Sequence, residues 1–69
     1  MDPLAVFTTN LKAARGAADM TQEQLANEAG IGQAHLSRIE NGRHDPSIRM
    51  VAKIASALKV SVADLMKGI

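Results

Sequence analysis

Residues 21–42, TQEQLANEAGIGQAHLSRIENG, constrain this chain more than any other stretch, because they spell two short amphipathic helices joined by one glycine-containing turn. Thr21 followed three residues later by Gln24 has the form of a capping box, which starts a helix near Gln22. Leu25, Ala26 and Ala29 fall on one face of it, and Gly30 stands where a helix end favours the left-handed conformation. Ile31 is expected inside the turn, and Gly32 as a weak cap for a second helix over Gln33–Asn41, with Leu36 and Ile39 facing inward and Gly42 closing it. Helices below roughly 12 to 15 residues are marginal alone in water. The rest of the chain must therefore supply a core, and the single methyl of Ala26 lets the two helix axes approach closely. A β-branched or aromatic residue there is expected to disrupt the turn.

The flanking sequence reads as that core. Asp2 can cap a first helix with Pro3 at its first position, and Leu4, Phe7, Leu11 and Ala14 repeat along one face until Gly16 and the stretch to Met20 end it. Ser47 starts a later helix striped by Ile48, Val51, Ile54, Ala55 and Leu58, with Lys59 near its C-terminus, where the dipole favours a cation. Ser61 with Asp64 opens a short fifth helix carrying Leu65 and Met66. Nothing has the alternation or hairpin turns of strands. The expected architecture is all-α, five helices in a single domain over residues 1–69, a length at which one core is only just sufficient.

With no cysteine, neither a disulfide nor a thiolate metal site can support so small a core. The histidines, His35 and His44, and the seven carboxylates show no metal-ligand spacing, so neither a metal nor another cofactor is expected. A Ser37, His35 and Asp45 trio can be drawn, but such trios arise in most sequences and imply no pocket, so an enzyme is not expected. There is no apolar run long enough to span a bilayer, and Met-Asp-Pro lacks the basic start of a secretion signal. A cytoplasmic protein without membrane contact is the expectation. Net charge is only +1, but its distribution is uneven: Arg38, Arg43, Arg49 and Lys53 outnumber Glu40 and Asp45, whereas Asp19–Glu28 carries acids alone.

The pattern Gln22, Leu25-Ala26, Ala29-Gly30-Ile31, Leu36, Ile39-Glu40-Asn41-Gly42, then Pro46-Ser47 and Ile54-Ala55-x-Ala57-Leu58-x-Val60-Ser61, resembles the Cro and lambda-repressor-like (XRE-type) helix-turn-helix domains. The resemblance implies a DNA-binding regulator of transcription whose second motif helix enters the major groove. The outward positions Gln33, Ala34, Ser37 and Arg38 are then the base readers. Gln33 has the chemistry to pair with adenine, Arg38 with guanine, and Ala34 to touch a thymine methyl, while Ser37 is less selective. Gln22, His35, Asn41, Arg43 and Arg49 form the implied phosphate-contacting set, Gln22 at a helix N-terminus that already favours an anion and Arg49 placed for a phosphate or the minor groove. By the same resemblance Gln22 contacts Gln33, and Arg15 with Glu40 forms a partly buried ion pair tying the first helix to the recognition helix. Each has a plain alternative as an ordinary solvated side chain. Lys12 and Lys53 read as solvated charges.

Two departures from the pattern matter. Gly32 replaces a serine or threonine cap, and Ala34 is a poor hydrogen-bonder at a reader position, which shifts specificity toward few side chains and DNA shape. A homodimer on an inverted repeat follows from the need for more contact than one short helix gives, with Val62, Met66 and Ile69 as the candidate dimer surface, although core packing explains the same side chains. Contact with RNA polymerase through Glu23 and Glu28 is implied by resemblance alone, and a solvated acidic face is the plainer reading. The alternative function is a helical interaction module, such as an antitoxin-type partner, that keeps the fold without binding DNA by itself.

Overall fold

Four of the five helix starts are set by side-chain oxygens that meet the orphan N–H groups of a first turn. The computed structural model describes residues 2–69, and Met1 of the opening Met-Asp-Pro lies outside them. Asp2 accepts from the Leu4 N–H at 3.0 Å, with Pro3 at the first position, and opens α1 (Pro3–Ala17). Thr21 Oγ1 accepts from the Gln24 N–H at 3.0 Å while Gln24 Oε1 accepts from the Thr21 N–H at 2.8 Å, so the capping box opens α2 (Gln22–Ala29). α3 (Gln33–Glu40) begins behind Gly32 with no side-chain cap. Ser47 accepts from the Met50 N–H and opens α4 (Ile48–Leu58). Ser61 and Asp64 form a second reciprocal box at α5 (Val62–Leu65), and the Ser61 backbone N–H, then its hydroxyl, hold the Asp64 carboxyl below the ordinary range.

Four of these helices end alike, each with a backbone bond reaching back five residues across a left-handed residue. Ile31 N–H donates to Ala26 O at 2.9 Å across Gly30 (φ 72°), and Arg43 N–H donates to Arg38 O at 2.9 Å across Gly42 (φ 70°). In α1 and α4 the left-handed position is taken by Asp19 (φ 56°) and Lys59 (φ 59°). Two expectations therefore change. Gly16 does not stop α1 but lies within it, and Lys59 is itself the left-handed turn residue rather than only a cation beside the dipole.

The core draws on every helix: Phe7 and Leu11 from α1, Leu25, Ala26 and Ala29 from α2, Leu36 and Ile39 from α3, Val51, Ile54, Ala55 and Leu58 from α4, and Leu65 from α5. α2 packs on α3 and α4, α1 on α3 and α5, and α5 on α4. Ala26, 1% exposed, sits where a larger side chain would force the helices apart. Ile48 departs from its stripe, at 72% exposed, because the first turn of α4 extends beyond the core that Val51 and Ile54 enter. Asn10, a polar residue on α1, donates from Nδ2 to both Leu65 O and Lys67 O at 2.8 Å, satisfying carbonyls at the end of α5.

Candidate nucleic-acid interface

α3 has two chemically distinct sides. Leu36 and Ile39 are fully buried and Glu40 is 2% exposed, which fixes the rotation of the helix about its own axis. At 3.6 residues per turn, Gln33, Ala34, Ser37 and Arg38 fall within an arc of about 140° on the other side. Gln33, Ala34 and Arg38 are exposed and Ser37 is half-buried, where its hydroxyl takes a long 3.4 Å contact from Asn41 Nδ2. Eight residues make a rod of about 12 Å. Its diameter with side chains, about 10–12 Å, matches the width of a B-DNA major groove, roughly 12 Å.

Behind this face lies a charged joint. Arg15 on α1 donates from Nε to Glu40 Oε2 at 2.8 Å and from Nη2 to Oε1 at 3.0 Å, and its third donor, Nη1, reaches Met20 O at 3.1 Å. This two-point bond to Glu40 raises the Arg15 pKa above its already high ordinary value, against the opposing effect of partial burial. Gln22 joins the same carboxylate, donating from Nε2 to Glu40 Oε1 at 3.1 Å. The expected partner of Gln22 was Gln33. The structure pairs its amide nitrogen with the buried carboxylate instead, because a charged acceptor makes the stronger bond. α1, α2 and α3 thus meet at one side chain.

The remaining phosphate candidates divide by exposure. Asn41, Arg43 and Arg49 are exposed, Asn41 and Arg43 in the turn that closes α3 and Arg49 in the first turn of α4. Arg49 also lines a shallow depression with Lys53, Lys59 and Glu28, so Glu28 stands among cations rather than on a purely acidic face. His35 is half-buried, its ring edge-on to His44 with centroids 4.7 Å apart, and its Nε2 is shielded from solvent without a partner. A phosphate contact through that nitrogen requires the ring to turn. Among the described residues no group of three or more His, Cys, Asp or Glu is placed to hold a metal ion, and no helix is long and apolar enough to cross a membrane.

The Helix-turn-helix family pattern matches residues 11–65, which include α2, the turn and α3 entire. The chain belongs to the helix-turn-helix family. It is similar to an HTH-type transcriptional regulator of Methanocaldococcus jannaschii, 36% identical over 55 residues that cover 80% of this chain and 83% of that one. It is also similar to the HTH-type transcriptional repressor RghR of Bacillus subtilis, 39% identical over 61 residues, 87% of this chain and 45% of the repressor. The chain therefore spans less than half the length of that repressor. Among solved structures, the restriction-modification controller protein C.AhdI of Aeromonas hydrophila superposes with a TM-score of 0.87 at 29% identity, over 90% of this chain and 94% of the controller.

As a helix-turn-helix protein, the chain carries the DNA-binding fold of transcriptional regulators, and these relatives are regulators by name rather than enzymes. The residues first assigned to dimerisation are not equivalent in the structure. Val62 and Met66 are half-buried and pack on the monomer's own core, whereas Ile69 is 60% exposed beside Pro3 and Leu4. Two structural roles have no local signal in the sequence: that of Asn10, whose partners lie 55 and 57 residues away, and that of Glu40 as acceptor toward Gln22.

Proposed function

We propose that the chain is a sequence-specific regulator of transcription that binds, as a homodimer, an inverted-repeat operator, with α3 in the major groove of each half-site. The observation that carries this reading is the pairing of an outward arc, Gln33, Ala34, Ser37 and Arg38, with an inner side bolted by Leu36, Ile39 and Glu40. Base contacts specify sequence and phosphate contacts set register, so Gln33 and Arg38 act as readers and Gln22, Asn41, Arg43 and Arg49 as anchors. His35 contributes to the anchors only after its ring turns. The protein measures 30 × 22 × 20 Å. Two copies whose recognition helices stand one helical turn apart, roughly 34 Å, are close enough to touch across the dyad. Ile69, with the exposed parts of Val62 and Met66, supplies apolar surface for that contact.

Selection of bound sequences from random duplexes, with the mass of the complex measured, tests the whole reading. A two-fold symmetric consensus and a 2:1 complex are expected. Arg38→Ala relaxes preference at one base position per half-site, costing roughly 1–3 kcal/mol there. Arg43→Ala weakens all sequences about equally and reduces the log–log salt slope by about 0.9, one phosphate's worth. Equal losses from both variants on every duplex would remove the division into reader and anchor. Absence of any salt-dependent duplex binding would favour the interaction-module alternative.

A further inference from the structure

Glu40 is almost sealed from water, yet its two oxygens take three donors from two other helices. Arg15 accounts for the charge. Gln22 does not need Glu40 for its own satisfaction, because a half-buried amide at a helix start has water within reach. The bond has a different consequence: it decides which end of the amide faces inward. With the nitrogen against a carboxylate, the flipped arrangement would set the Gln22 oxygen against Glu40 Oε1, two acceptors facing each other. One N–H is committed and the second remains on the same nitrogen. Arg15 adds a backbone restraint, since Nη1 holds Met20 O, two residues before Gln22.

We propose that Glu40 is a positioning residue for the Gln22 amide: the carboxylate that bolts α1 to α3 also fixes, before DNA arrives, the side chain at the start of α2 that meets the phosphate backbone. This rests on the DNA-binding reading above. Freezing a side chain in advance removes an ordering cost from the binding step. It also joins the backbone anchor on α2 and the reading face on α3 in one rigid body, so that the register of one sets the register of the other.

The test uses the full chain and compares Gln22→Ala in two backgrounds, the native one and Arg15→Met with Glu40→Leu. That apolar pair removes the acceptor without stranding a charge. Should the pair fail to fold by circular dichroism, Glu40→Met is the second background, since it removes both acceptor oxygens and leaves Arg15 on a side chain that water still reaches. On a random-sequence duplex, Gln22→Ala is expected to lower affinity about fivefold in the native background, the worth of one hydrogen bond, and to leave the salt slope unchanged, because a neutral amide releases no counterion. In the background without the carboxylate the same substitution is expected to cost less than about twofold. Equal losses in both backgrounds overturn the proposal. The Gln22 side-chain amide resonances of the free protein give an independent readout: they shift when Glu40 is replaced, and no shift would overturn the bond itself. If the native chain shows no salt-dependent duplex binding while those resonances do shift, the DNA-binding reading has failed and the positioning role falls with it, leaving the bond as structure alone.

Discussion

α2 and α3 are both eight residues long and both close on a left-handed glycine, yet their N-termini are opposites. α2 starts with a reciprocal capping box that satisfies its first turn internally, whereas α3 starts on Gly32 with no side-chain acceptor. Each helix therefore draws its stability from a different place. α2 is stabilised partly by its own ends, while α3 depends on Leu36, Ile39 and Glu40 gripping it from behind. An end left uncapped keeps its N–H groups available to whatever the helix meets, and the positive end of its dipole favours an anion.

The largest expected break in this comparison comes from Arg15→Met, which strands the Glu40 carboxylate, 2% exposed, away from water and removes the tie that holds α1 to α3. A loss of about 3–5 kcal/mol is expected. In a domain of this size that lowers Tm by roughly 12 °C or more, or unfolds it outright. Thermal melts of Arg15→Met beside the Arg15→Met with Glu40→Leu pair check it: the pair is expected to remain near the native Tm, and an equal loss in both would mean that the ion pair itself, not the stranded charge, matters. Thr21→Ala comes next, at about 1 kcal/mol, because α2, unlike α3, has a side-chain cap to lose. A Tm unchanged by that substitution would show that the box contributes nothing.

Gly32→Ser is the smallest and sharpest change. Gly32 has ordinary extended angles, φ −73° and ψ 144°, and a Cβ there meets nothing within 4 Å, so serine fits without strain. It is expected to raise stability by a few tenths of a kcal/mol, making α3 resemble α2. A loss in urea midpoint instead would mean that the bare end of α3 is not an unmet cap.

The starts of α1, α2, α4 and α5 were legible because Asp2, Thr21, Ser47 and Ser61 act on donors two or three residues away. Gly30 and Gly42 were legible as stops for the same local reason. Asp19 and Lys59 were not: lysine does not mark a left-handed turn, and aspartate, although enriched in that conformation, serves as readily as a helix cap or a solvated charge. Ile48 shows the limit of periodicity, which tells the face of a helix but not how far along it the core extends. The reading face of α3 followed from its inner stripe. Its support did not: the Asn10 clasp on α5 and the turn of Gln22 toward Glu40 join residues 18 to 57 positions apart, and no spacing rule reaches that far. The Arg15–Glu40 pair was available through resemblance alone, and the structure supplies its geometry.

Backbone amide shifts of the labelled protein, followed while a duplex carrying the selected consensus is added, test the outward face of α3 most directly. The largest changes are expected at Gln33, Ala34, Ser37 and Arg38, with Gln22 and Arg43 beside them. Changes confined to α1 and α5, with residues 33–38 unmoved, would contradict it.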